Sequence, residues 1–167
     1  PSNVVCLAIV DPGVGSDRPP VILRADGRWF VGPDNGLFEI IQRRAQSADQ
    51  WTITWRPEYL SRSFHGRDLF APVAARLERG EDPPGQPYPV GWQSQPTRPG
   101  ANWPNDKAAI TYIDRFGNAM TGLRASLLDQ SQVLSIGTMP VQHAAVFSEV
   151  PPGRIFWYAN SCGLVEI

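Results

Sequence analysis

The first apolar stretch of the chain does not alternate. Val4–Val10 (VVCLAIV) is a continuous apolar run, the pattern of a strand buried on both faces of a parallel sheet. Asp11–Pro20 (DPGVGSDRPP) then reads as a turn-rich loop at that strand's C-terminal end. Val21–Pro33 predicts a hairpin with Asp26-Gly27 as the turn. Leu37, Ile40 and Ile41 are spaced for a helix over 36–45, and Trp51–Arg56 alternates like a strand. Leu69, Phe70, Val73, Ala74 and Leu77 share one face of a second helix. Pro72 falls in or near its first turn, and Gly80 suits its C-terminal cap.

The pattern changes after Gly80. Seven prolines crowd between Pro83 and Pro104, with Gly, Gln and Ser among them, so 81–106 reads as an extended linker with little internal structure. Trp92 and Trp103 indicate that parts of it lie against a surface. From Lys107 onward the runs are β-rich: Lys107–Asp114, Gln132–Thr138, Arg154–Asn160 and Gly163–Ile167, separated by turn residues. The expected architecture is an α/β domain over 1–80, with a central, largely parallel sheet and flanking helices. A small all-β barrel or sandwich follows over 107–167. No internal repeat relates the halves.

Composition narrows the classes. The chain has 167 residues, 42% of them hydrophobic, with six Trp and seven Phe, which supports packed cores. A net charge of −1 gives no electrostatic reason to expect nucleic acid or an anionic membrane as partner. No apolar run is long enough for a transmembrane helix, and no charged leader precedes an apolar core. Cys6 and Cys162 are the only cysteines and lack CxxC spacing; they read as two buried free thiols in a reducing, cytoplasmic compartment. Both ends stop inside strand patterns, so the chain reads as a fragment.

Candidate chemistry gathers in two loops. Asp11 follows a strand and opens a Gly-rich loop, the place where open α/β sheets bind ligands. Gly13 and Gly15 permit close backbone approach, and Arg18 can fold back toward Asp11. On spacing alone, the favoured reading of Asp11 is a cap for its turn. His65 lies between Phe64 and Gly66 ahead of Arg67-Asp68; taken alone, its favoured reading is a buried, hydrogen-bonded histidine. Arg67 and Asp68 form a surface ion pair, or Asp68 caps the helix. Gly32–Gly36 (GPDNG) reads as a helix-initiating turn. Asp11, Asp17, His65 and Asp68 have no recognised metal-ligand spacing, and no phosphate-loop or nucleophile-elbow motif occurs.

Taken together and in order, VDPGVGSDR, FVGPDNGLF, SFHGRDLFAPVAARLERG, IDRFGNAMTG and YANSCGLVEI resemble the S-adenosyl-L-methionine (SAM) hydrolases that form adenosine. These are also called SAM hydroxide adenosyltransferases and are related to SAM-dependent fluorinases and chlorinases. The resemblance spans nearly all of the chain outside the proline-rich stretch. It implies an N-terminal α/β domain and a C-terminal β-barrel, assembled as a homotrimer with the substrate between subunits. It also implies that Asp11, Arg18 and His65 handle the water. Of these, His65 is the best candidate to accept the proton, since an imidazole titrates at about pH 6.5. Asp11 then orients the water or stabilises the imidazolium, and Arg18 fixes Asp11 by a forked contact. Which of Asp11 and His65 takes the proton is not fixed by the sequence. The halogenases carry other residues at the Asp and His positions, and the fluorinases carry a serine at Gly66. By the same resemblance, Asp114 and Asn118 hold the methionine and adenosine portions, Phe116 lies against the adenine, and Asn160 and Ser161 contact it. No metal or organic cofactor is implied. Family members begin with a further strand–loop–helix unit and end with a tail after LVEI, neither of which this chain matches. A related halogenase and a non-catalytic SAM- or adenosine-binding fragment are the alternatives.

Overall fold

A computed structural model describes residues 4–89, 92–94 and 96–167. Val90, Gly91 and Gln95 of the proline-rich stretch lie outside the described residues. The chain divides into two compact units, one ending at Trp103 and the other running from Pro104 to Ile167.

The first unit is built on a five-stranded sheet. Its strands are β1 (Val5–Leu7), β2 (Pro20–Ala25), β3 (Arg28–Pro33), β4 (Ala48–Ile53) and β5 (Gly85–Pro87), in the order β1-β3-β2-β4-β5. Only β1 and β3 pair in parallel; the other pairs are antiparallel. The expectation of a largely parallel sheet is therefore corrected to a mixed one. The reason is local: β2 and β3 form the hairpin that Asp26-Gly27 predicts, with φ of 47° and 78° at the two turn residues. A hairpin contributes an antiparallel pair that no crossover intervenes to reverse.

Strand β1 also departs from its reading. It is short, stands at the sheet edge, and leaves Cys6 and Leu7 exposed. An unbroken apolar run is buried on both faces only where other layers cover both, and among the described residues β1 is an edge strand paired with β3 alone. Cys6 and Cys162 are accordingly exposed free thiols rather than buried ones.

Two helices accompany this sheet, α1 (Glu39–Arg44) and α2 (Ala71–Glu78). The apolar face read for α2 is the one observed. Leu69, Phe70, Val73 and Leu77 pack with Ile22, Val31 and Ile53 in one buried cluster. Pro72 lies in the first turn, where its missing N–H costs nothing. Gly80 adopts φ +79° just past the end, and its N–H donates to the Leu77 carbonyl. On the other side Val21, Leu23, Ala25, Phe38 and Trp92 form a second cluster.

Described residues of the proline-rich stretch pack on the first unit, as its tryptophans suggest. Tyr88 stacks edge-on against the buried Trp92, and β5 pairs with β4. Arg98 pairs at 2.8 Å with Glu39, a carboxylate almost wholly buried on α1 and also held by Arg43. The two guanidinium groups compensate a charge that would be costly to bury alone.

The second unit is a six-stranded sheet: β6 (Lys107–Ile113), β7 (Ala119–Arg124), β8 (Leu134–Ile136), β9 (Met139–His143), β10 (Phe156–Ala159) and β11 (Leu164–Glu166). Their order is β6-β7-β11-β10-β9-β8, and among the described residues no pairing joins β6 to β8. The expected closed barrel is thus a curled, open sheet. Val141, Trp157 and Val165 form its buried centre. Strands β7 and β9 escape the sequence pattern: the first follows the turn Asp114–Asn118 without clear alternation, and the second carries Pro140.

Candidate active site

The loop between β1 and β2 closes on itself. The amides of Val14 and Ser16 donate to the carbonyls of Asp11 and Gly13, and the Ser16 hydroxyl donates to Gly13 as well. These turns return Arg18 to the loop's start. There its Nε donates to Asp11 Oδ1 at 2.8 Å while Nη2 donates to Oδ2, a forked guanidinium–carboxylate contact. Both side chains are largely shielded, 10% and 6% exposed, so the pair is one that solvent screens little. Gly15 explains the loop's course. Its φ is +80°, and a Cβ there would come within 2.9 Å of the Arg62 carbonyl oxygen. Only glycine combines that conformation with that approach.

His65 comes from the facing segment. It begins a stretch of wider π-type turn over Gly66–Phe70, which leads into α2. Such turns are rare and re-aim side chains at their start. Gly66 faces Ile9, and a Cβ there would sit 3.3 Å from its Cγ2. Asp68 does not cap the helix. It accepts the Ser61 amide at 3.0 Å and pairs with the exposed Arg67, fixing the run into His65. The ion-pair reading of Arg67-Asp68 is therefore the one observed.

Arg18 joins the two loops. The same Nη2 that reaches Asp11 lies 3.0 Å from His65 Nδ1. A guanidinium has only donors, so Nδ1 accepts, and the ring is neutral with its proton on Nε2. Burial and the neighbouring Arg18 charge push the imidazole below its ordinary value, against a smaller opposite pull from Asp11. Phe70 lies under the guanidinium, its ring centre 5.2 Å from Cζ. Its apolar spacing placed Phe70 in the core, and nothing in that spacing marked its second contact.

The residues assigned to substrate binding lie in two turns of the second unit. Asp114 accepts the amides of Phe116 and Asn118 on Oδ1 and the Asn118 side chain on Oδ2. Partial desolvation raises this carboxyl, but those hydrogen bonds outweigh it and hold the group below the ordinary carboxylate range. The turn presents Phe116, 75% exposed, with the Arg115 guanidinium over its ring. Asn160 Oδ1 accepts the amides of Cys162 and Leu164, and its Nδ2 donates to Glu166. Its carboxamide is largely committed to its own turn, whereas Ser161 beside it is exposed. Glu166 is buried and also accepts the Tyr158 hydroxyl; burial and this bond push that phenol up to about 12. Among the described residues no cluster of His, Cys, Asp or Glu suited to a metal occurs, and no helix is long and apolar enough to cross a membrane.

A mixed-sheet unit followed by an open β unit is a fold with known counterparts. The chain belongs to the SAM hydroxide adenosyltransferase family, whose N-terminal domain matches residues 1–86 and whose C-terminal domain matches residues 108–167. Two proteins named (R)-S-adenosyl-L-methionine hydrolase are similar to it. One from Thermus thermophilus is 37% identical over 100% of this chain and 68% of its own; one from Salinispora arenicola is 33% identical over 98% and 66%. The chain thus spans about two thirds of their length. A crystal structure of an uncharacterized conserved protein from Thermotoga maritima superimposes with a TM-score of 0.80 at 26% identity, over 99% of this chain and 69% of its own. The crystal structure of a conserved hypothetical protein from Thermus thermophilus gives a TM-score of 0.72 at 32% identity, over 99% and 66%.

Proposed function

We propose that this protein cleaves S-adenosyl-L-methionine with water, yielding adenosine and L-methionine. The observation that carries the proposal is the position of Arg18, whose single guanidinium holds both Asp11 oxygens and His65 Nδ1. The similarity to hydrolases acting on this sulfonium supplies the substrate.

The chemistry suits such a cluster. Water attacks the ribose 5′ carbon; the C5′–S bond breaks with its electron pair moving onto sulfur, and methionine leaves as a neutral thioether. No general acid is needed. The new C–O bond leaves a protonated alcohol, which is strongly acidic, so a carboxylate suffices to remove its proton. Asp11 takes that role: each oxygen keeps a lone pair beyond the one given to Arg18. His65 has Nδ1 occupied and carries hydrogen on Nε2, so it acts as a hydrogen-bond donor that orients rather than as the base. Holding water in line with the departing sulfur is the main contribution, and well-oriented reactants account for several kcal/mol of barrier. The scheme calls on no metal or organic cofactor.

The substrate is held by Phe116 against adenine, by Ser161 in the neighbouring turn, and by the remaining acceptor capacity of Asp114, with Asn118 and Asn160 shaping those turns. The proposal includes a homotrimer in solution.

The test is incubation of the purified protein with SAM in ¹⁸O-labelled water, followed by chromatography and mass spectrometry. Adenosine carrying the label at its 5′ hydroxyl, with an equal amount of methionine, is expected. A 5′-halo-adenosine formed in chloride or fluoride buffer replaces the reading with a halogenase, and SAM binding without products replaces it with a binding module.

A further inference from the structure

The GPDNG stretch does more than begin a helix. Asn35 Nδ2 donates at 2.8 Å to the carbonyl of Val10, the residue directly ahead of Asp11. The Asp34 backbone amide donates at 2.9 Å to the carbonyl of Pro19, the residue directly after Arg18. Two adjacent residues therefore grip both ends of the loop that carries Asp11 and Arg18. The Asn35 carboxamide is itself oriented, because its Oδ1 accepts the Leu37 amide at 3.2 Å. That bond fixes which end of the amide faces Val10. Asp34 is anchored in turn by the Tyr88 hydroxyl, which donates to Oδ2 at 2.8 Å. Gly32 completes the arrangement: a Cβ there would collide with the Ala8 carbonyl, so the motif lies directly against the tail of β1.

We propose that Asn35 is a positioning residue, a clasp whose carboxamide sets the register of Asp11 and Arg18 against His65. It touches none of the reacting atoms. It acts by fixing the main chain one residue before the carboxylate, while Asp34 fixes the other end. Without the Asn35 donor, the loop's first residue swings on a carbonyl bound only to solvent, and the Arg18 fork no longer meets Nδ1 at a fixed distance. Misplacement of that kind costs catalysis far more than it costs binding.

The proposal rests on the hydrolase reading for its kinetic arm but carries an independent one. His65 and His143 are the only histidines, so the His65 ring is resolved by NMR in the intact chain. Arg18, Asp11, Arg56 and Asp68 are the charged groups that act on it. In Asn35→Ala, a neutral change, the His65 titration is expected to move up toward its ordinary value as Arg18 loosens. Turnover of SAM should fall roughly tenfold to a hundredfold with KM within about threefold. Asn35→Asp keeps the acceptor for Leu37 but replaces the donor with a charged acceptor facing the Val10 carbonyl, so it should reproduce or exceed the kcat loss and covers a failure of the alanine variant to fold. An unmoved His65 titration in folded Asn35→Ala, or a KM change that matches the kcat change in either variant, overturns the proposal. If the parent protein shows no SAM cleavage at all, the hydrolase reading fails, and the titration still decides the clasp.

Discussion

Arg18 is the residue on which the cluster turns, because it is the only member that contacts both others. Its exchange for lysine keeps the charge but loses the fork, and one ammonium cannot serve two Asp11 oxygens and an imidazole together. Arg18→Lys is expected to lower kcat by about a hundredfold or more in a steady-state SAM assay, at similar thermal stability. His65→Ala should lower turnover on the same scale while SAM affinity, measured by calorimetry, changes only a few-fold. The pH dependence follows from the direction of the His65 shift. The folded protein resists protonation of this ring, so the Arg18 contact survives as pH falls through the ordinary imidazole value near 6.5. The acid limb of the rate profile should therefore lie below that value. Stability responds in the same sense: the unfolded chain takes up the proton first, so stability is lost as pH falls below about 6.5 and is unaffected above it.

Elements show what could be read in the sequence and what could not. The β2–β3 hairpin and the buried face of α2 were legible because each is fixed by local chemistry, a turn dipeptide in one case and 3.6-residue spacing in the other. Asp11, Arg18 and His65 were legible only through their motif context, since neither spacing nor composition distinguishes a forked Arg–Asp pair from a capped turn. The fate of Val4–Val10 was not legible, because exposure of a strand depends on its neighbours in the sheet. Nor was the role of Asn35, whose partner Val10 lies 25 positions away in the chain. Gly15 gives the loop its own test. Gly15→Ala forces an unfavourable φ and pushes against the Arg62 carbonyl, a cost of about 1–2 kcal/mol from the backbone alone. Calorimetry should show Tm lowered by about 2–4 °C per kcal/mol, with turnover falling disproportionately because the loop and the His65 segment part at this point.

At the scale of the whole molecule, the second unit's outer strand has apolar side chains on both of its faces. Ile110, Tyr112 and Ile113 are all exposed on β6. Soluble monomers seldom leave such a strip open, and its burial between copies is what the proposed trimer supplies. Light scattering is expected to give the mass of three chains, and Ile113→Lys, which puts an ammonium into that strip, should shift the population toward single chains. A different practical lesson lies in the Tyr88 hydroxyl. The change in composition invites an engineer to end the amino-terminal module at Gly80. A piece cut there would discard the prop beneath Asp34, the tryptophan that fills one side of the sheet, and a cation that neutralises Glu39. The first compact unit extends to Trp103, and anyone grafting the Asp11–Arg18 loop into another scaffold must bring these proline-rich contacts with it.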